Sequence, residues 1–474
     1  MTHPIDIPPP PESLFPDRRE RERLDHWLTR ELALAQERVI SGPVMPTVDM
    51  ARFGEELAKF DFQSPHASEE LLSWVISQLE HGVVHMNHPR YFGLFNPAPN
   101  FPAQLADRIV ASFNPQLASS GSSPVPVAIE RHLIRTIAVR AGLPRESGGH
   151  FTVGGSEANY TALICALTRA SPDFARDGAR AFSGPPTMYT SVACQPAWFK
   201  IAHQAGLGHR AVRLIPTDGR GCMDTKALRE MVAEDRSQGR IPVMISPTAG
   251  TTGAGMVDPL VDCTAIAREY NAWCHVDAAW GGAALASEQL RGLLMGIEDA
   301  DSITIDAHKW LATTMGCGMF ITRHPAVLSE AFRVSAAFMP SQDAGLDPYL
   351  NSAQWSRRFL GLRLFLSLAV SGWAGYAQHV ERAVAVIERA KRLLLERDWS
   401  VVNDSRLAVL CALPPEGSRP VRDIARRVLN SGLAWVAVAE FEGRDVIRIC
   451  ATHGETTERD VEILAEVLDE AAKI

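Results

Sequence analysis

Residues 301–310 read DSITIDAHKW. Ser302–Ile305 is a short apolar-leaning run that reads as a buried strand, and His308 and Lys309 follow directly after its end. A lysine at a strand end is ordinarily a solvated surface group. What sets this one apart is the company the chain gives it.

Working outward, residues from about 100 to 320 alternate short apolar strands with helices. Pro186–Val192, Ala211–Ile215, Ile241–Ser246, Ala272–Val276 and Gly318–Ile321 read as strands, and Asp262–Glu269 as a helix. Strands this continuously apolar between helices predict an α/β fold whose mainly parallel sheet is covered on both faces. In such sheets the chemistry sits beyond the carboxyl ends of the strands. Lys309 lies at one such end.

Around this core the spacing predicts an N-terminal arm over residues 1–85, a large domain over 86–375 and a small α+β domain over 376–474. The arm opens proline-rich over residues 1–16, then turns helical, with Pro43 and Pro46 as breaks and Ser68 capping Glu69–Leu79. Residues 359–395 read as helix. The small domain shows strands at Val401–Leu413, Leu433–Ala439 and Arg444–Thr452, with helices at Val421–Ser431 and Thr457–Lys473.

Composition excludes several classes. A net charge of -8 over 474 residues, without a basic block, argues against nucleic acid as a partner. Eight scattered cysteines with no CxxC pair and no zinc spacing read as reduced thiols, with no metal site. The N-terminus lacks a signal pattern, and no apolar run reaches the ~20 residues of a membrane span. The expectation is a soluble, cytoplasmic protein.

Three further stretches bear on Lys309. In HVDAAWGG, residues 275–282, Asp277 ends a buried strand. A carboxylate there is costly without a cation, and a protonated ring nitrogen would supply one; a plain helix cap is the competing reading. Ala279 leaves room for a flat ring. In FTVGGSEAN, residues 151–159, two glycines and a serine precede a helix from Glu157 onward; free backbone N–H groups at Gly155 and Ser156 would suit a phosphate, and an ordinary capped turn is the competing reading. In SPTAGTTGAGMVDP, residues 246–259, a strand ends in a turn rich in hydroxyls, with Thr252 facing a cofactor or a carboxylate.

The order of these motifs resembles that of the group II pyridoxal-phosphate-dependent amino-acid decarboxylases, the family of aromatic-amino-acid and glutamate decarboxylases. The resemblance runs from about His88 to the C-terminus. It implies the aminotransferase-like fold type I, pyridoxal 5′-phosphate (PLP) as cofactor, and a homodimer with the active site at the subunit interface. Carried onto this chain, it implies that Lys309 holds the cofactor as a Schiff base and that Asp277 faces its ring nitrogen. Ala279 would pack on one ring face and Thr252 would lie near the ring. Gly155, Ser156, Ser302 and His308 would contact the phosphate. Phe95, Asn96 and Pro97, within RYFGLFNPAPNFP, match the stretch lining the substrate carboxylate site. Phe92, Phe95, Trp280 and Phe338 point to an apolar pocket. The implied reaction is decarboxylation of an L-amino acid with an aromatic or other apolar side chain to the amine and CO2.

Two positions depart from the family. Where it has a histidine on the open ring face, this chain has Gln195; His203 falls on the following helix. An amide cannot titrate near neutrality as a histidine does. This favours, as an alternative, oxygen-dependent decarboxylation–deamination to an aldehyde; an aminotransferase is a more distant third. The family's catalytic loop corresponds to Ala337–Arg357, whose only tyrosine, Tyr349, is the candidate proton donor. Arg357 and Arg358 read as structural ion-pair partners.

Overall fold

The structure, a computed structural model, describes residues 9–334 and 347–474. Its strands are β1 (Tyr91–Phe92), β2 (Gly148–Thr152), β3 (Pro186–Ser191), β4 (Val212–Ile215), β5 (Ile241–Ser246), β6 (Trp273–Asp277), β7 (Ser302–Asp306), β8 (Gly318–Thr322), β9 (Ser400–Val401), β10 (Val409–Leu413), β11 (Trp435–Phe441) and β12 (Arg444–Cys450).

Seven strands form one sheet in the order β2-β8-β7-β6-β5-β3-β4. The pairs β7–β6, β6–β5, β5–β3 and β3–β4 are parallel, whereas β8 is antiparallel to both β7 and β2. Only β8 therefore runs against the others. The carboxyl ends of β2, β3, β5, β6 and β7 all open on one edge. Every residue of β6, β7 and β8 is buried, as expected for a sheet covered on both faces. This is the mainly parallel α/β architecture expected from the alternating pattern.

The smaller sheet has the order β1-β11-β12-β10-β9. Its edge strand β1 comes from far upstream and pairs parallel with β11, Tyr91 opposite Trp435. The segment 90–102 is thereby anchored on the small sheet. The expected strand over Val401–Leu413 is two strands, β9 and β10. The residues between them are held elsewhere: Asn403 Nδ2 donates to Ala254 O, and Ser405 Oγ to Gly255 O. The large sheet and the small one are linked by the helix Leu362–Leu395, in which Gly372 alone leaves helical geometry, at φ 62°.

The N-terminal residues fold as the helices Arg18–Ser41, Met50–Leu57 and Ser68–Gly82. Ser68 is the first helical residue rather than the cap; Ala67 holds the cap position, without a side-chain bond.

The buried pair Glu130–Arg357 ties the helix Pro124–Arg140 to the segment before Leu362. Arg357 Nη2 lies 2.8 Å from Glu130 Oε2, and its Nη1 donates to Phe151 O at 2.8 Å. Glu130 Oε1 accepts the Gly361 N–H at 2.9 Å. Arg358 sits 3.5 Å from Asp107. Both arginines are thus ion-pair partners. Removing one member of a buried pair strands the other charge. Arg357→Leu is expected to lower stability by about 3–5 kcal/mol in urea unfolding, whereas Arg358→Leu, half exposed, is expected to cost under about 1 kcal/mol.

Candidate active site

Phe95, Gly155, Ser156, Gln195, Thr252, Asp277, Ala279, His308 and Lys309 line one cavity of about 320 Å³. Each wall comes from the end of a different strand. β6 ends in Asp277, and Ala279 follows in the next turn. β7 ends in Asp306, with His308 and Lys309 just beyond. β2 feeds the Gly154–Ser156 turn. The loops after β5 and β3 bring Thr252 and Gln195.

Asp277 is fully held. Its Oδ2 accepts Asn159 Nδ2–H at 2.8 Å and its Oδ1 accepts the Ala279 N–H at 3.1 Å. Behind it runs a directional chain of hydrogen bonds. Trp273 Nε1 lies 2.7 Å from Ser302 Oγ, Ser302 Oγ 2.8 Å from His275 Nδ1, and His275 Nε2 3.0 Å from Asn159 Oδ1. Burial pushes the His275 imidazole down to about 3, so it is neutral, with one donor and one acceptor nitrogen. The indole N–H donates first, which sends the hydroxyl proton to Nδ1 and leaves Nε2–H for Asn159 Oδ1. The Asn159 amide N–H is then aimed at the carboxylate. Burial raises the Asp277 carboxyl above its ordinary value, opposed by Lys309 and Asn159. Such a carboxylate gains from a cation on its open side.

The helix Gly155–Ala170 points its N-terminus into the same cavity. Its first N–H groups have no intrahelical acceptor, which suits an anion. The helix begins two residues before the expected Glu157. His308 Nδ1 accepts the Cys317 N–H at 3.1 Å, which leaves Nε2 as the N–H side. A Cβ on Gly154 would lie 3.5 Å from the His308 ring. Lys309 Nζ lies 3.1 Å from Asp306 Oδ2.

Aromatic rings close one side. Phe95 stacks on Trp280 with centroids 4.2 Å apart, and Trp280 on Trp310 at 4.8 Å. Arg448 from β12 covers the far face of Phe95 at 4.6 Å and donates to Thr252 O at 2.8 Å. It also bonds Gly93 O. This buried arginine clamps the Phe95 segment to the Thr252 turn across the two sheets.

Several expected residues are not brought to the cavity. Ser302 is at the opposite end of β7 from Asp306, roughly 13 Å away along a strand, and its hydroxyl is engaged by Trp273 and His275. It belongs to the Asp277 chain and does not line the cavity where the expected phosphate contact would be made. Tyr349 is buried in the turn Pro348–Leu350 against Trp355, centroids 5.0 Å apart, and does not line the cavity of its own chain. Asn96 faces Met315, and neither it nor Pro97 lines the cavity. Phe92 lies in the core on β1. Phe338 and the rest of residues 335–346 lie outside the described residues. Asn159, His275, Asp306 and Arg448 were not singled out by sequence reasoning. Asn159, His275 and Asp306 lie within the quoted motifs, whereas Arg448 carried no such signal.

A model of the pyridoxal-dependent decarboxylase conserved domain matches residues 55–412. The chain belongs to the pyridoxal-dependent decarboxylase family. It is 27% identical over 439 residues to aromatic-L-amino-acid decarboxylase of Bacillus atrophaeus, covering 89% of each. It is 29% identical over 406 residues to L-2,4-diaminobutyrate decarboxylase of Rhizobium meliloti, covering 83% of this chain and 80% of that one. The crystal structure of Oryza sativa TDC with PLP and tryptamine matches with a TM-score of 0.89 at 24% identity, covering 96% of this chain and 98% of that one. The fold is fold type I. The protein is a PLP-dependent carboxy-lyase, which sets the aminotransferase reading aside.

The cavity of this decarboxylase fits its cofactor. It has a helix N-terminus for the phosphate, a buried carboxylate short of a cation for the ring nitrogen, a small residue for the ring face, and an amine at the carbonyl end. The turn opposite depends on Asp258, which accepts the N–H groups of Thr248 and Met223, each at 2.7 Å. Burial pushes the Asp258 carboxyl from 3.8 up to about 6. Between those values the folded chain keeps a proton that the unfolded chain has lost, so stability falls as pH rises through this window. The shift corresponds to about 3 kcal/mol. Asp258→Asn does not titrate. Denaturation from about pH 4 to pH 7 is expected to show this decline in the wild type and not in the variant.

Proposed function

We propose that the decarboxylase acts on an L-amino acid with an aromatic or other apolar side chain and releases the amine and CO2. The observation that carries the substrate class is the Phe95–Trp280 stack on the cavity wall. With their faces packed against each other, Trp310 and Arg448, the two rings give the cavity an apolar wall of ring edges, and Lys309 Nζ lies 5.8 Å from the Phe95 centroid.

When bound, the cofactor supplies an electron sink for the bond that breaks. The chain's residues do the rest. Lys309 is the amine that holds the cofactor and is exchanged for the substrate amine. Asp277, kept an acceptor by Asn159 and Ala279, holds a proton on the ring nitrogen. Gly155, Ser156 and His308 hold the phosphate, Ala279 supports the ring, and Thr252 lines the same space. Gln195 lines the cavity with its Oε1 accepting the Ala197 N–H, which leaves the NH2 group as its remaining donor. A donor that cannot titrate can orient a carboxylate; it cannot shuttle a proton.

We propose further that the protein works as a homodimer, with residues 1–85 as an arm on the partner. Leu79, Phe101 and Phe113 are 55%, 67% and 82% exposed, and Leu32, Leu34 and Ile40 add to this apolar surface. So much exposed apolar area favours a second copy. All eight cysteines are free and buried, which supports a cytoplasmic setting. Among the described residues no helix is long and apolar enough to cross a membrane.

The test is a panel of L-amino acids assayed at once for CO2, amine, aldehyde, ammonia and peroxide. The expected result is CO2 and amine in equal amounts from an aromatic or aliphatic substrate. Aldehyde with stoichiometric ammonia and peroxide would instead establish the oxidative reaction. Asp277→Asn is expected to lower kcat on the order of 10²–10³-fold, as loss of one preorganised charge does, with the cofactor still bound.

A further inference from the structure

A second cavity, of about 250 Å³, lies beside β2, the edge strand of the large sheet, and shares no residue with the cofactor cavity. Its walls come from the helix Pro124–Arg140, from the chain entering β2, and from the segment 348–357. Two side chains in these walls are buried and bare. Ser147 is 1% exposed and its hydroxyl has no hydrogen-bond partner; His150 is 5% exposed and neither ring nitrogen has one. Buried polar groups are almost always hydrogen-bonded, so two bare ones lining one cavity call for an occupant. Water could satisfy them. The charges around them ask for more than water.

Arg131 and Arg135 stand one turn apart on the helix, and both line the cavity. Among the described residues neither has an ion pair, a hydrogen bond or a ring contact. The third arginine of the lining, Arg357, is committed to Glu130 and to Phe151 O. Glu146 is the remaining lining carboxylate, so one positive charge is left in excess. Burial, helped by the Arg357 guanidinium, pushes the His150 imidazole down to about 3. The ring is therefore neutral and has one N–H to donate. The free groups of the cavity are mostly donors, and a guanidinium fork matches the paired oxygens of a carboxylate or a phosphate.

We propose that this cavity is a binding site for a small oxyanion, held by Arg131 and Arg135 and accepting hydrogen bonds from His150 and Ser147. Carboxylate and phosphate share this chemistry. An anion seated there joins the helix Pro124–Arg140 to the segment 348–357, beside the place where Glu130 and Arg357 already join them.

The test uses the cofactor-loaded enzyme, in which the other cavity is filled. Inorganic phosphate and succinate are titrated separately, by calorimetry and by thermal shift, at an ionic strength held constant with sodium chloride. At least one of them is expected to bind, with one anion per chain. Binding of phosphate alone marks a phosphate site and binding of succinate alone a carboxylate site, and either supports the proposal. Replacing both arginines, Arg131→Gln with Arg135→Gln, alters only partly exposed positions. It is expected to weaken binding on the order of 100-fold, roughly tenfold for each charge-assisted hydrogen bond lost. His150→Phe keeps a ring beside Phe320 and removes both nitrogens, with an expected loss on the order of tenfold. The cofactor absorbance band and the urea midpoint show whether each variant is folded, and the arginine variant keeps the test available if His150→Phe is not. Binding of neither anion means that water alone fills the cavity and overturns the proposal. Unchanged binding in either folded variant places the anion elsewhere and overturns it too.

Discussion

A carboxylate buried at the end of a parallel strand has to be supplied with donors, and Asp277 organises the structure around that need. Asp277 is 5% exposed, so its donors come largely from the chain. The Asn159 amide on the helix Gly155–Ala170 supplies one, and it is oriented through His275 on β6 from Ser302 on β7. The same helix presents its N-terminus to the cavity. Satisfying Asp277 therefore fixes the position of that helix end relative to the carboxylate. The neutral state of His275 is part of this: a doubly protonated ring would turn a donor toward Ser302 and break the direction of the chain.

The same logic recurs away from the cavity. Asp258 gathers the Thr248 and Met223 N–H groups and so shapes the turn after β5. Glu130 and Arg357 join a helix to the segment that enters the long helix Leu362–Leu395. Arg448 reaches from the small sheet to the Thr252 carbonyl in the turn after β5, bonds Gly93 O just after β1, and stacks on Phe95. Buried polar groups of this kind add little net stability, but they allow few alternative packings. A cavity built from five strand ends needs that restriction.

What could be read from the sequence follows from how local each signal is. The strands after residue 180 were legible because each is a short apolar run between helices. Lys309, Asp277 and the glycine turn were legible because their chemistry calls for particular residue types at strand ends. The Asp277 chain was not. Asn159 and His275 lie 116 residues apart and look like ordinary polar positions until the fold joins them. Ser302 was misplaced because a motif is contiguous in sequence while a strand carries its two ends to opposite edges of the sheet. Val401–Leu413 looked continuous because its apolar ends hide the anchoring of Asn403 and Ser405 to another segment. Tyr349 was chosen as the only tyrosine in its stretch, and its packing on Trp355 could not be read from that.

The two walls of the cavity differ in what they can do to a proton. The wall of Asp277, Asp306, His308 and Lys309 is dense in ionisable groups, with Asp306 3.1 Å from Lys309 and 3.9 Å from His308. The wall of Gln195 and Thr252 has none, and its polar groups are fixed by backbone: Gln195 by the Ala197 N–H, the Thr252 carbonyl by Arg448. Within the described residues, then, the chain manages charge on the cofactor side and restricts itself to orientation on the open side, where the reacting carbon of the substrate has to be presented. A proton delivered to that carbon has to come from Lys309, from solvent, or from a segment beyond this wall.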